Sequence, residues 1–132
     1  MPALPVPEIA RDRQPPLIAW LRLAALECRI APPPGLPAEG AMRMAEAEDM
    51  AAMLARLLPA LLFRRPVLLR PGSPGRSFDE DWLLALARAE VSGDRRSARF
   101  LLARRARPDG AAVLRMLVGD LAARLGTDGP AP

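Results

Sequence analysis

The chain has 132 residues, 51% of them apolar and 26% charged, and its 19 basic and 15 acidic residues leave a formal net charge of +4. Every basic residue is arginine; lysine, histidine, tyrosine and asparagine are absent, and Cys28 is the sole cysteine. This composition excludes a chain disordered throughout, an internal disulfide framework and a zinc site built on thiols and imidazoles. It predicts one domain with a real core, in a reducing, cytoplasmic setting. Abundant Ala, Leu, Arg, Pro and Gly without lysine also reads as a GC-rich bacterial coding bias, so arginine usage alone does not signal guanidinium chemistry.

Residues 1–16 hold five prolines, which fix φ and lack an amide donor, and predict an extended arm. Arg11 and Arg13 followed by Leu17 to Leu26 loosely imitate an export signal, but Arg22 interrupts the apolar run. Glu27 stands before Cys28, where a lipoprotein cleavage site needs a small neutral residue. No run approaches the roughly 18–20 apolar residues that span a bilayer, so the expectation is a soluble chain with no integral membrane segment.

A first helix fits Leu17 to Ile30, with Pro16 placed where a missing amide is harmless and Pro32-Pro33-Pro34 as the stop. It carries two apolar sides, Leu17/Leu21/Ala24/Cys28 and Ala19/Leu23/Leu26/Ile30, and Arg22 and Arg29 lie on a strip between them. Such a helix is either central in a bundle or half-covered by a partner. A second helix is expected over 38–58, with Met50, Met53, Leu54, Leu57 and Leu61 on one face and Pro59 ending or kinking it. Arg64 to Arg76 reads as a connector with a short extended piece at 66–70 and a turn at Pro71-Gly-Ser-Pro-Gly75.

The last third is the best punctuated. Ser77-Phe-Asp-Glu80 matches a capping box opening a helix to Val91, whose apolar face is Phe78, Trp82, Ala85, Leu86 and Ala89. Gly93 supplies a left-handed stop and Asp94 the next N-cap, for a helix from Arg95 to Arg107. Pro108 opens a last helix to Leu125, with Leu114, Leu117, Val118, Leu121 and Leu125 on one side and a small-residue strip, Ala112/Gly119/Ala123, on the other. The expected fold is all-α: a compact bundle of about five helices with a proline-rich arm and inter-helix linker. Residues 17–126 form one domain, 77–126 its trihelical part, and 127–132 a flexible tail.

Proton transfer near neutral pH usually relies on histidine, or on a carboxylate, lysine, tyrosine or cysteine of shifted pKa. Here the serines and Cys28 have no histidine or lysine to recruit, and Asp79, Glu80 and Asp81 are consecutive, so they cannot face one another. Their place in a first helical turn is explained by the macrodipole. Met42, Met44, Met50 and Met53 suit core packing better than a copper site, and Cys28 suits a small buried hydrophobe. No catalytic residue, metal site or cofactor is expected.

Charge distribution carries the remaining signal. Arg64 to Arg76 sums to +4, Ser77 to Asp94 to −4 and Arg95 to Arg107 to +6. On the 95–107 helix, Arg95, Arg96, Arg99, Arg104 and Arg107 spread over about half the wheel with Phe100 among them, while Arg105 intrudes on the apolar side. Guanidinium forks of this kind meet carboxylates or phosphates. The expected function is a small non-enzymatic protein-interaction protein, an adaptor, assembly factor or self-associating subunit. The alternative is a nucleic-acid-associated regulator using the same basic helix. The acidic helix beside it leaves a third outcome, arginines neutralised within the chain. The site residues on either functional reading are Arg95, Arg96, Arg99, Phe100, Arg104 and Arg107.

Overall fold

The computed structural model describes residues 13–128 and builds them into five helices: α1 (Pro16–Ala25), α2 (Ala38–Leu61), α3 (Phe78–Ser92), α4 (Arg95–Arg105) and α5 (Ala111–Leu125). No strand is present among the described residues; a single antiparallel bridge joins Leu62 to Ala106. The all-α bundle read from the sequence is therefore the architecture. Helix α5 packs against α2 and α3, α1 packs mainly on α2, and α4 leans on α3. Residues 1–12 and 129–132, most of the proline-rich arm and of the tail, lie outside the described residues, but the arm's last part is fixed: Gln14 and Pro15 are buried.

Helix α1 is buried along most of its length, from Leu17 to Leu23. It ends at Ala25, five residues before the expected Ile30. The Cys28 amide donates to the Leu23 carbonyl and the Glu27 amide to Ala24, while Glu27 takes φ 58°. This is the paired hydrogen-bond pattern that closes a helix on a left-handed residue, with glutamate where glycine is usual. Cys28 consequently sits past the helix end and is exposed, not the buried hydrophobe expected.

Helix α2 runs on through Pro59 to Leu61 instead of stopping at Leu58. Proline there removes its own amide and crowds the Ala55 carbonyl, and burial of Leu58, Leu61 and Leu62 holds the last turn in the core despite that cost. The buried face is Ala47, Ala51, Leu54, Leu58 and Leu61, rotated from the methionine-bearing face expected, so Met53 is exposed. The last turn also receives Gly110, where a Cβ would stand 2.8 Å from Leu61 Cδ2. That close approach turns the chain between α4 and α5. Pro108 and Asp109 belong to this turn, so α5 begins at Ala111 and not at Pro108.

The capping box at α3 is present in both directions: Ser77 Oγ accepts from the Glu80 amide at 3.0 Å and Glu80 Oε1 from the Ser77 amide at 3.0 Å. Phe78, expected inside, is 77% exposed, while its neighbours Asp79 and Glu80 are buried. The reason lies in the arginines that reach them. Glu80 meets Arg22 of α1, with Nε to Oε2 at 2.7 Å and Nη2 to Oε1 at 2.9 Å, both side chains fully buried. Arg22 also donates to the carbonyls of Ser73 (3.0 Å) and Gly75 (2.7 Å), and the Leu69 amide donates to Glu80 Oε2 at 3.1 Å. One buried ion pair thus ties α1, the connector and the start of α3 together.

Candidate functional site

Helix α4 is fixed by its two ends and one narrow apolar stripe. At its start, the Gly93 amide donates to Glu90 and the Asp94 amide to Ala89, with Gly93 at φ 74°. Asp94 at once caps α4, its carboxylate accepting from the Ser97 amide (3.1 Å) and the Ser97 hydroxyl (2.6 Å). Those two hydrogen bonds, aided by the Arg96 charge, hold the Asp94 carboxyl below its ordinary range. Past the end of α4, the bridge pins the chain: the Phe63 amide donates to Arg105 at 3.0 Å and the Arg107 amide to Leu61 at 2.8 Å. Between the ends, Ala98 and Leu102 enter the core, and Trp82 Nε1 donates to the Leu101 carbonyl at 3.1 Å.

With only Ala98 and Leu102 buried, most of α4 faces outward. Arg95, Arg96, Arg99, Phe100 and Arg104 of the helix are exposed, as is Arg107 beyond it. Arg95, Arg96, Arg99, Phe100 and Ala103 line a shallow depression of about 510 Å³. Arg104 lies over the Phe100 ring at 5.5 Å. Arg107 is set apart from this group, over the Phe63 ring at 5.8 Å and donating from Nε to the Leu62 carbonyl at 3.3 Å. The structure therefore brings five of the six expected site residues onto one surface and places Arg107 at its edge.

Arg105 departs from the set as the sequence indicated. It is salt-bridged to Asp79, its guanidinium carbon 5.2 Å from the Phe78 ring centre and 5.6 Å from that of Trp82. Asp79 also accepts from the Val67 amide at 2.7 Å.

Whether α3 neutralises α4 is settled by where its acids go. Asp79 takes Arg105, Glu80 takes Arg22, Asp81 takes Arg76 at 2.6 Å, and Glu90 takes Arg115 at 2.8 Å. Three consecutive carboxylates serve three arginines on three different segments, as side chains at successive helical positions must. Of the six arginines in 95–107, Arg105 alone has a carboxylate within ion-pair distance among the described residues. Arg95 and Arg96 also stand in the first turn of α4, where the helix dipole is already positive, so the two fields add.

The apolar features that suggested a partner are covered only in part, since Leu26, Ala112 and Ala123 are exposed. Both sides of α1 are covered from Leu17 to Leu23, and Gly119 of α5 faces Glu90, where a Cβ would stand 3.5 Å from Glu90 Cβ. Sequence reasoning missed Phe63, which the bridge carries beside Arg107, and the Arg22–Glu80 pair. An arginine inside an otherwise apolar helix was the available signal for that pair.

Among the described residues no group of three or more His, Cys, Asp or Glu side chains converges as a metal site would, and no helix is long and apolar enough to cross a membrane. Comparison of the chain with protein-family models, with curated proteins and with solved structures finds no match.

Proposed function

We propose that this is a non-enzymatic binding protein whose working surface is the outward face of α4, and that its partner is an acidic surface or segment of another protein. The observation that supports this reading is the unequal use of charge. Every carboxylate of α3 is committed to an arginine outside the exposed group, while Arg95, Arg96, Arg99 and Arg104 stand without one among the described residues. Exposed like charges crowded on one helix face repel one another and add nothing to folding, and an acidic partner relieves that repulsion. Arginine suits that contact because its planar fork matches carboxylates two hydrogen bonds at a time.

A fluorescent polyglutamate peptide titrated with the full chain tests the reading. Binding should weaken steeply with salt and about tenfold when Arg95, Arg96 and Arg99 become alanine, each exposed contact contributing at most ~1 kcal/mol. A second reading, single-stranded nucleic acid, is favoured by one observation: Phe100 is 59% exposed among the arginines, as a stacking platform for a base would be. A single-stranded oligonucleotide of matched charge that binds more tightly than polyglutamate, and loses that advantage in Phe100→Ala, would replace the first reading with the second.

A further inference from the structure

A cleft of about 550 Å³ opens between the C-terminal end of α1, the middle of α2 and the connector at 65–68, and it shares no residue with the α4 face. We infer that this cleft binds a small amphipathic anion, a single carboxylate or comparable acid group on an apolar body. Its volume is that of a small-molecule site. Ala24, Ala52, Ala55 and Leu68 give it an apolar lining in which the short alanine side chains leave the space open.

Two of the lining cations are uncommitted. Arg56 on α2 and Arg65 on the connector have no carboxylate within ion-pair distance among the described residues. Of the two lining carboxylates, Glu48 is fully engaged: Oε1 accepts from Arg29 Nη1 at 2.7 Å and Oε2 from the Ile30 amide at 2.5 Å. Arg29 is in turn shared with Asp49 at 3.3 Å, and these two carboxylates raise its pKa. Glu27 adds a second negative charge at the α1 end, so the lining holds three arginines against two glutamates. A neutral apolar ligand would strip water from Arg56 and Arg65 without replacing it, which is costly. An acid group returns two charge-assisted hydrogen-bond partners, and the rest of the molecule covers the alanines.

Cys28 lines the same cleft, is exposed and is the only thiol in the chain, so it reports on the site directly. The experiment compares its reaction with two aromatic disulfides, the dianionic 5,5′-dithiobis(2-nitrobenzoate) and the neutral 4,4′-dithiodipyridine. In both, the Cys28 thiolate attacks one sulfur, a mixed disulfide forms and one aryl thiolate leaves. The rate ratio of anionic to neutral reagent should exceed that of free cysteine by about tenfold, the lower end of electrostatic steering in a charged cleft. It should fall towards the free-cysteine value in Arg56→Gln/Arg65→Gln and stay unchanged in Arg88→Gln, which removes the same charge type from α3, an element that contributes no residue to the cleft. In the unaltered chain, 2-naphthoate should protect Cys28 from the neutral reagent saturably. A ratio equal to that of free cysteine, a ratio indifferent to the Arg56/Arg65 substitutions, or absence of naphthoate protection would overturn the inference.

Discussion

At the scale of single residues, the fold turns on Arg22 and Glu80. A fully buried guanidinium and carboxylate are held by each other and by two carbonyls and two amides, so the pair is satisfied only when α1, the connector and α3 are all in place. Removing one partner leaves a buried charge unmatched. Arg22→Met and Glu80→Met should each lower the unfolding free energy by about 3–5 kcal/mol, and the double variant by clearly less than their sum. Urea denaturation followed by circular dichroism reads this out; strictly additive losses would show that the two side chains act independently. Glu27 offers the opposite case. Its left-handed backbone disfavours any residue with a Cβ by about 1 kcal/mol, so Glu27→Gly should raise the denaturation midpoint. The sequence displayed Arg22 as an anomaly in an apolar helix but not its partner, because the contact joins positions 58 residues apart and periodicity carries no information at that range.

Among the elements, local punctuation was legible and orientation was not. The Ser77–Glu80 box and the Gly93/Asp94 stop-and-cap lie where short-range hydrogen bonding dictates, and the structure contains both. The Asp94 cap makes a signed prediction. Its native carboxyl titrates below the unfolded value of about 4, so its contribution is complete above that pH and is lost as pH falls through the depressed native value. The Ser97 amide resonance should report that titration. Where sequence reading erred, tertiary packing decided the outcome: α2 is rotated so that Met53 faces out, and α5 starts three residues late because residues 108–110 form the turn that seats Gly110 against Leu61. Gly110, at the N-cap of α5, and Gly119 within it separate two kinds of contact. Gly110→Ala would drive a Cβ against Leu61 and should destabilise by about 1–3 kcal/mol, whereas Gly119→Ala meets Glu90 at ordinary distance and should be neutral or stabilising by up to ~1 kcal/mol. A large loss at Gly119 would indicate that the strip is needed for a closer approach than α3 makes.

Over the whole molecule, six arginines are bound to carboxylates, and of those without such a partner among the described residues one group is clustered on a single helix face. Arg22, Arg105, Arg76, Arg115, Arg124 and Arg29 are bound to carboxylates and hold elements together. Arg95, Arg96, Arg99 and Arg104 are gathered with Phe100 on the one helix that leans mainly on a single neighbour. The composition of that face was readable from helical spacing; its freedom from α3 was not, because net charges of adjacent segments do not say which side chains meet. The central claim is that this face recognises an acidic protein surface, and two variants of equal net charge test it. One carries Arg95→Ala, Arg96→Ala and Arg99→Ala; the other carries Arg13→Ala, Arg43→Ala and Arg88→Ala. Both should retain stability within about 0.5 kcal/mol, as exposed substitutions do. Titrated into labelled polyglutamate at fixed salt, the first should lose about tenfold in affinity with a shallower salt dependence, while the second stays close to the unaltered chain. Equal losses in both would mean that overall charge, and not the face of α4, governs binding, and would contradict the account.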